Sequence, residues 1–381
     1  MHILIDYTPA VRQQAGIGRL TRGLVEHLPW AEPEHRIWLW SNGRPRPDLR
    51  HVHGNPIWYA PFRERDMVRL WHRAGIPWPR VEWCTPVKPH IFHATDFVLP
   101  PSGAPCQILT VHDLSFRRFP DTLPVSLTRF LHQVVPRSVR RANHLIADSH
   151  STARDLQEFW SVPKHRISVV PGAVDNVLFR PVMEQNVLEG VRRKYGIGRR
   201  PFILGVSTLQ PRKNFACLIK AFRVLADNHP ELILVIGGGR GWRAQGIFDA
   251  VAETGLENKV LFPGFVADRD LPALYSASEC FAYPSLYEGF GLPVLEAMAC
   301  GTPVLTGFNS SLAEAGGSGA LYVDEHDEHA IAAGLERLLE DSALRQKLRR
   351  NGFRHAACFT FEQSAGKLWQ AYRRAWSQVR T

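Results

Sequence analysis

The sequence predicts an α/β protein built from two parallel-sheet domains, and three observations carry that prediction. Short apolar, β-prone runs alternate with helical stretches through both halves of the chain, the pattern left by strands joined through crossover helices. At 381 residues with 45% apolar content the chain can bury two cores of ordinary size. Between the halves, Val169-Val-Pro-Gly-Ala-Val-Asp-Asn-Val-Leu-Phe-Arg-Pro181 breaks a strand at Pro171-Gly172 and runs as a loop to a second proline.

Taken in order, strands are expected over residues 1–6, 36–40, 91–93, 107–111 and 144–147 in the first half. In the second half they are expected over 202–206, 232–236, 259–262, 280–284 and 303–305. A polar helix fits 187–195. The tail 362–380 places Ala365, Leu368, Trp369, Tyr372 and Trp376 at helical spacing, so the last segment is a helix with one apolar stripe. The division that follows is 1–175, 176–360 and a terminal helix within 361–381. No periodic repeat or low-complexity tract interrupts it.

Composition narrows the function. The chain opens directly as a strand, without a basic leader and apolar core, and no apolar run reaches the ~20 residues of a spanning helix, so the expectation is a cytoplasmic protein. The six cysteines are scattered with no C-x-x-C pair, which predicts neither disulfide nor zinc. Seventeen histidines include no H-E-x-x-H, and no metal is expected.

Most of the net charge of +10 falls in the first half. A basic field attracts anionic lipid, polyphosphate or nucleic acid alike, but no helix-turn-helix, zinc-finger or ribonucleoprotein pattern is present, and no nucleic-acid partner is expected. Residues 61–74 set Phe62, Met67, Leu70, Trp71 and Ala74 broadly on one side of a helix, with Arg63, Arg65, Arg69 and Arg73 around the rest. Such a helix suits the surface of an anionic membrane. It equally suits a core-packing helix with solvated arginines.

The segment richest in chemistry is Ser285-Leu-Tyr-Glu-Gly-Phe-Gly-Leu-Pro-Val-Leu-Glu296. Gly289 and Gly291 allow main-chain N–H groups to approach a ligand closely, and Pro293 suits the first turn of a helix. Strand, glycine loop and helix N-terminus together make an anion-binding geometry. Glu288 precedes the helix and Glu296 lies about one turn inside it, so the two carboxylates stand at different depths of one pocket. Ala297-Met-Ala-Cys-Gly301 then reads as the helix end, followed by a buried strand.

Glu288-Gly-Phe-Gly-Leu-Pro-Val-Leu-Glu296 resembles the Glu, seven residues, Glu signature of retaining glycosyltransferases of family 4. The resemblance implies the GT-B fold: two Rossmann-like domains facing across a cleft, with the C-terminal helix crossing back to the N-terminal domain. It implies that Glu296 binds the ribose hydroxyls of a sugar nucleotide, that Glu288 contacts the transferred sugar, and that the backbone of Gly289, Phe290, Gly291 and Leu292 meets the diphosphate.

Other segments extend the likeness. Arg212 and Lys213, on the loop after the strand at 202–206, match the family's diphosphate-holding pair, although two adjacent basic residues also suit plain surface. Gly16 and Gly18, in Gln14-Ala-Gly-Ile-Gly-Arg19, resemble its N-terminal glycine loop, for which a tight turn is the simpler alternative. His112, in Thr110-Val-His-Asp-Leu114, resembles the histidine beside the transferred sugar, with Asp113 orienting it or binding acceptor. His93 and Asp96 are further acceptor candidates, and Phe265 and the glycines of Ile236-Gly-Gly-Gly-Arg240 resemble positions near the nucleotide base. There is no G-x-G-x-x-G with a later acidic residue, which argues against a nicotinamide dehydrogenase.

The expected activity is transfer of a hexose, first mannose from GDP-mannose and second glucose from UDP-glucose, to a hydroxyl of a glycan or lipid-linked acceptor, without metal. The look of the motifs is that of bacterial mannosyltransferases. A sugar-nucleotide epimerase of the same fold and a non-catalytic glycan- or membrane-binding scaffold are the alternatives.

Overall fold

The computed structural model describes residues 1–381 except 14–15, 31–33, 46–49, 63 and 381. Gln14, Ala15 and Arg63, named above, lie outside the described residues. The chain divides into two compact units, Met1–Leu114 with Arg129–Gly172 and Phe361–Thr381, and Ser115–Thr128 with Ala173–Thr360.

Among the described residues unit 1 carries eight strands: β1 (His2–Asp6), β2 (Arg36–Asn42), β3 (His51–Val52), β4 (Asn55–Ala60), β5 (Ile91–Ala94), β6 (Cys106–Val111), β7 (His144–Ala147) and β8 (Ile167–Val169). Their order is β3-β4-β2-β1-β5-β6-β7-β8, and every pairing is parallel except the short β3–β4 hairpin. β1, β5, β6 and β7 are apolar on both faces, as parallel strands covered by helices must be.

The terminal helix Phe361–Arg380 belongs to this unit, as the family likeness implies. It buries Phe361, Leu368, Trp369, Ala371, Tyr372 and Ala375 with Ile5, Val25, Ile91 and Ile146. Each large side chain so buried contributes roughly 1.5–3 kcal/mol, before the cost of ordering the chain.

Residues 64–73 form a helix, Glu64–Val68, that widens into a five-residue turn, Arg69–Arg73. Met67 and Trp71 are buried, and the Trp71 indole donates to the Pro79 carbonyl at 3.0 Å. The core takes Met67 and Trp71 from the apolar side of this helix, while Phe62 stays 42% exposed and Ala74 is exposed.

Unit 2 carries six strands: β9 (Phe202–Val206), β10 (Ile233–Gly237), β11 (Val260–Leu261), β12 (Cys280–Tyr283), β13 (Val304–Gly307) and β14 (Ala320–Val323). All pair in parallel in the order β11-β10-β9-β12-β13-β14. Apolar clusters fill both faces of the sheet. Residues 115–128 cluster with this unit, so the division is less contiguous than one taken at 175. The Trp242 indole donates to the Thr122 carbonyl at 2.9 Å, Arg243 donates to the Asp121 carbonyl, and Phe119 lies 5.9 Å from the Tyr287 ring.

Candidate active site

In unit 2 the sheet grows from β9 through β10 to β11 on one side and through β12 to β14 on the other. Where strand order reverses, the loops leaving the strands' C-terminal ends part and form a crevice. The loop after β9 carries Arg212 and Lys213, and the loop after β12 carries Glu288. Arg212 and Lys213 lie in a single tight turn, Pro211–Lys213, closed by Asn214 in the left-handed conformation at φ 59°. The Asn214 amide then donates to the carbonyls of Pro284, at 3.1 Å, and Glu325, at 2.6 Å, fastening the two loops together.

Glu288 is the hub of this crevice. Its Oε1 accepts from Lys213 Nζ at 2.6 Å, Ser285 Oγ at 2.6 Å and Tyr283 Oη at 2.9 Å, and its Oε2 accepts from Arg212 at 3.0 Å. Four donors converge on this one carboxylate, three on Oε1 and one on Oε2. Burial raises its pKa, but the charges of Arg212 and Lys213, with the hydrogen bonds from Lys213 and Ser285, outweigh that and hold it at about 2. Lys213 also donates to Tyr283 Oη at 2.9 Å, and Arg212 to the Tyr287 carbonyl. The main chain of Glu288 is held too, its N–H by Ser310 Oγ at 3.0 Å and its carbonyl by Ser311 Oγ at 2.8 Å.

The carboxylate expected to contact sugar is thus engaged in holding the basic pair. Tyr283 and Ser285 were missed in the sequence. The available signal was a tyrosine at the end of a strand buried on both faces, whose hydroxyl must find a partner.

Past Glu288, Gly291 adopts φ 105°, which a side chain would strain, and caps the helix Leu292–Ala299 with Pro293 in its first turn. Phe290 is turned inward and packs on Phe359 at 5.4 Å. Glu296, also buried, accepts from Tyr275 Oη at 3.2 Å. Phe265 is 56% exposed, beyond Gly264 at φ 78°. Gly238 lets its loop cross the Ser207 carbonyl, which an added Cβ would meet at 1.8 Å.

In unit 1, His112 follows β6 and is buried. Its Nδ1 lies 2.7 Å from Asp148, after β7, and its Nε2 lies 2.9 Å from the Thr95 carbonyl, after β5. Both partners accept, so both nitrogens carry protons and the ring is an imidazolium. Burial opposes that charge, but Asp148, by charge and hydrogen bond, then Asp96 and the Thr95 carbonyl, lift the pKa to about 9. The orienting carboxylate is therefore Asp148 and not Asp113, which is half-buried next to the histidine in sequence.

His93 is not on an accessible face. It bonds Tyr372 Oη at 2.7 Å and Thr110 Oγ1 at 2.8 Å, and burial with the nearby His112 lowers its pKa to about 3. It ties the sheet to the terminal helix, a structural position rather than an acceptor contact. Asp96 is half-buried and accepts from the Gln13 amide at 3.3 Å.

Gly16 caps the helix Ile17–Glu26 at φ 56°. At Gly18 a Cβ would lie 2.0 Å from the Gln13 carbonyl, so this glycine serves close backbone packing. Among the described residues no group of three or more His, Cys, Asp or Glu could hold a metal ion.

Two doubly wound parallel sheets, one with a basic pair and a buried glutamate at its switch point, define a glycosyltransferase of the GT-B fold. The Anabaena HepE protein, crystallised with UDP and glucose, superposes with a TM-score of 0.72 at 18% identity, over 97% of this chain and 99% of its own. Residues 189–355 match the family model for glycosyl transferases group 1, and residues 15–177 the model for glycosyltransferase family 4. The O-antigen chain mannosyltransferase B of Escherichia coli is 31% identical over 98% of this chain and 100% of its own length. A D-inositol 3-phosphate glycosyltransferase of Salinispora tropica is 34% identical over 64% of this chain and 53% of its own. The chain belongs to glycosyltransferase family 4.

Proposed function

We propose that the protein transfers a hexose, mannose from GDP-mannose in the first instance and glucose from UDP-glucose in the second, to a hydroxyl of a glycan or lipid-linked acceptor with retention of configuration. The observation that carries this is the Arg212, Lys213 and Glu288 cluster at the unit 2 switch point. Two cations fixed by one buried carboxylate are pre-organised to stabilise charge developing on a leaving diphosphate, and they do not need to reorganise during the reaction. Likeness over its whole length to an O-antigen mannosyltransferase favours mannose.

Glu288 is spent on the basic pair, and Glu296 is bonded to Tyr275, so neither is posed as a nucleophile. A two-carboxylate glycosidase needs opposed groups about 5 Å apart. The departing diphosphate oxygen instead takes the acceptor proton on the face of attack, and the new bond keeps the anomeric configuration. Glu296 holds the ribose. No metal takes part.

The test is calorimetry against GDP, UDP, ADP and their hexose conjugates, with and without chelator, followed by NMR of the anomeric proton of the product. Selective GDP-mannose binding and an α product support the reading. Inverted product, or turnover of donor to an epimer without acceptor, overturns it. Glu296→Ala should weaken donor binding, and unchanged affinity would remove the ribose role.

Peripheral contact with the inner face of an anionic membrane, on this proposal, uses the Arg/Trp segment near residues 62–78 and continues to Trp83. Ile76, Trp78 and Trp83 are 45%, 51% and 62% exposed, and the two indoles meet edge to face at 5.3 Å. Arg65, Arg69 and Arg73 are exposed nearby in sequence. Amphipathic rings beside arginines suit a headgroup layer. Flotation with anionic vesicles should be lost in Trp78→Ser/Trp83→Ser; flotation indifferent to that change would end the idea. Among the described residues no helix is long and apolar enough to cross a membrane.

A further inference from the structure

Glu288 Oε1 takes three donors, from Lys213, Ser285 and Tyr283, although one carboxylate oxygen offers only about two lone pairs. The donors therefore share it. Ionised Glu288 can only accept and the Lys213 ammonium can only donate. The Tyr283 hydroxyl, 2.9 Å from each, must then accept from Lys213 and donate to Glu288. Burial and the facing Glu288 raise this phenol well above its usual range, so it keeps the proton it donates.

Tyr283 is held far more firmly than the lysine it meets. It closes β12, is 1% exposed, stacks on Phe281 at 5.7 Å with the planes 18° apart, and its carbonyl accepts from Thr306 Oγ1 at 2.8 Å. Lys213 rises from a three-residue turn on a flexible stem, which packing alone does not orient. Its ammonium lies 5.4 Å from the centre of the Tyr283 ring, so ring and hydroxyl both bear on it. Arg212 needs no such guide, because its planar guanidinium is already set by the Tyr287 carbonyl and Glu288.

The hydroxyl thus stands inside the Lys213–Glu288 ion pair. It offers the ammonium a second oxygen and gives Oε1 a neutral donor in competition with the charged one. Whatever donation passes through a neutral group leaves that much of the ammonium's charge unneutralised by the carboxylate.

We propose that Tyr283 is a positioning residue for the transfer reaction, its hydroxyl splitting the Lys213–Glu288 pair so that the ammonium charge stays in a fixed place and available to the departing diphosphate. The proposal rests on the transferase reading above and adds the group that sets how Lys213 acts.

Charge supplies the test. The diphosphate gains negative charge as the sugar leaves, so GDP and UDP carry that charge and GDP-mannose and UDP-glucose do not. Calorimetry of the full chain compares each nucleotide with its sugar conjugate. In Tyr283→Phe, which keeps the ring and its stack, Lys213 pairs wholly with Glu288. Nucleoside diphosphate affinity should fall about tenfold and sugar-nucleotide affinity less than about threefold. Release of nucleotide from the sugar conjugate with water as acceptor should slow about tenfold or more in kcat with KM little changed. In a Lys213→Gln background the same substitution should add nothing to either effect. An NMR comparison needs no variant: GDP should move the Lys213 ammonium resonance of the wild-type chain more than GDP-mannose does.

Equal weakening of both ligand classes marks a merely structural role and overturns the proposal. So do unchanged affinities, an effect that persists in Lys213→Gln, or an ammonium resonance that answers both ligands alike. Failure of the transferase reading looks different: the wild-type chain then binds no sugar nucleotide and releases none of its nucleotide, and the role of Tyr283 falls with it.

Discussion

Glu288 and His112 are buried charges of opposite sign, each settled by the partners around it. A buried carboxylate facing two cations is stable only while all three are present, and removing one partner of such a set costs about 3–5 kcal/mol. Glu288→Gln should therefore lower the melting temperature and abolish most transfer, because Arg212 and Lys213 lose both position and neutralisation. A variant with normal stability and turnover would show that the hub is dispensable. His112 depends on Asp148 in the same way. Asp148→Asn removes the larger of the effects that oppose burial and leaves only Asp96 and the Thr95 carbonyl against it, so the imidazole pKa should fall well below about 9, as read by NMR titration. An imidazole still titrating near 9 would transfer the effect to Asp96.

At the scale of elements, two features hold unit 1 together that no single strand or helix contains. The first turn of the helix Ile17–Glu26 approaches the Gln13 carbonyl so closely that only glycine fits at position 18. Gly18→Ala should destabilise by about 1–3 kcal/mol, the range for forced overpacking, with a lower urea midpoint and an unchanged slope. The second is the terminal helix. Truncation after residue 360 exposes the apolar surface under Leu368, Trp369 and Tyr372 and leaves His93 without Tyr372. The expected result is a unit 1 that binds a hydrophobic dye and is cut rapidly by protease, whereas a protected truncation product would mean the helix is only an accessory. The strands around both features were readable from their apolar runs. The β3–β4 hairpin was not, because Asn55-Pro-Ile-Trp-Tyr-Ala60 alternates weakly and carries a proline that suits an edge.

For the whole molecule, the buried titratable groups set a pH window. His72, His93 and His144 have pKa values lowered to about 4, 3 and 4, in each case first by burial, so between pH 6.5 and those values the unfolded chain binds more protons. Their contribution is complete above pH 6.5 and is lost as pH falls. Glu288 acts in the same direction lower down, its contribution present above about 4.5 and lost toward 2. His112 acts oppositely: its stabilisation is complete below 6.5 and disappears as pH rises through about 9. Melting temperature should peak near pH 6.5–7 and fall on both sides, and Asp148→Asn should flatten the alkaline limb. A limb that stays steep in that variant would assign it to other groups.

The sequence by itself determined the two α/β halves, the glycine loop between two glutamates, the basic pair and the apolar stripe of the last helix. Each of these is a local pattern, set by spacing along a few residues and by the backbone freedom of glycine and proline. Only the tertiary structure decided what those residues touch. Asp148, 36 positions from His112, displaces the neighbouring Asp113 as its partner because parallel strands bring their C-terminal ends to one edge. His93 meets Tyr372, 279 positions away, because the chain returns to unit 1 after completing unit 2. Tyr283 meets Lys213, 70 positions away, only once β12 lies beside β9, and strand order is a property of the packed sheet rather than of any segment within it.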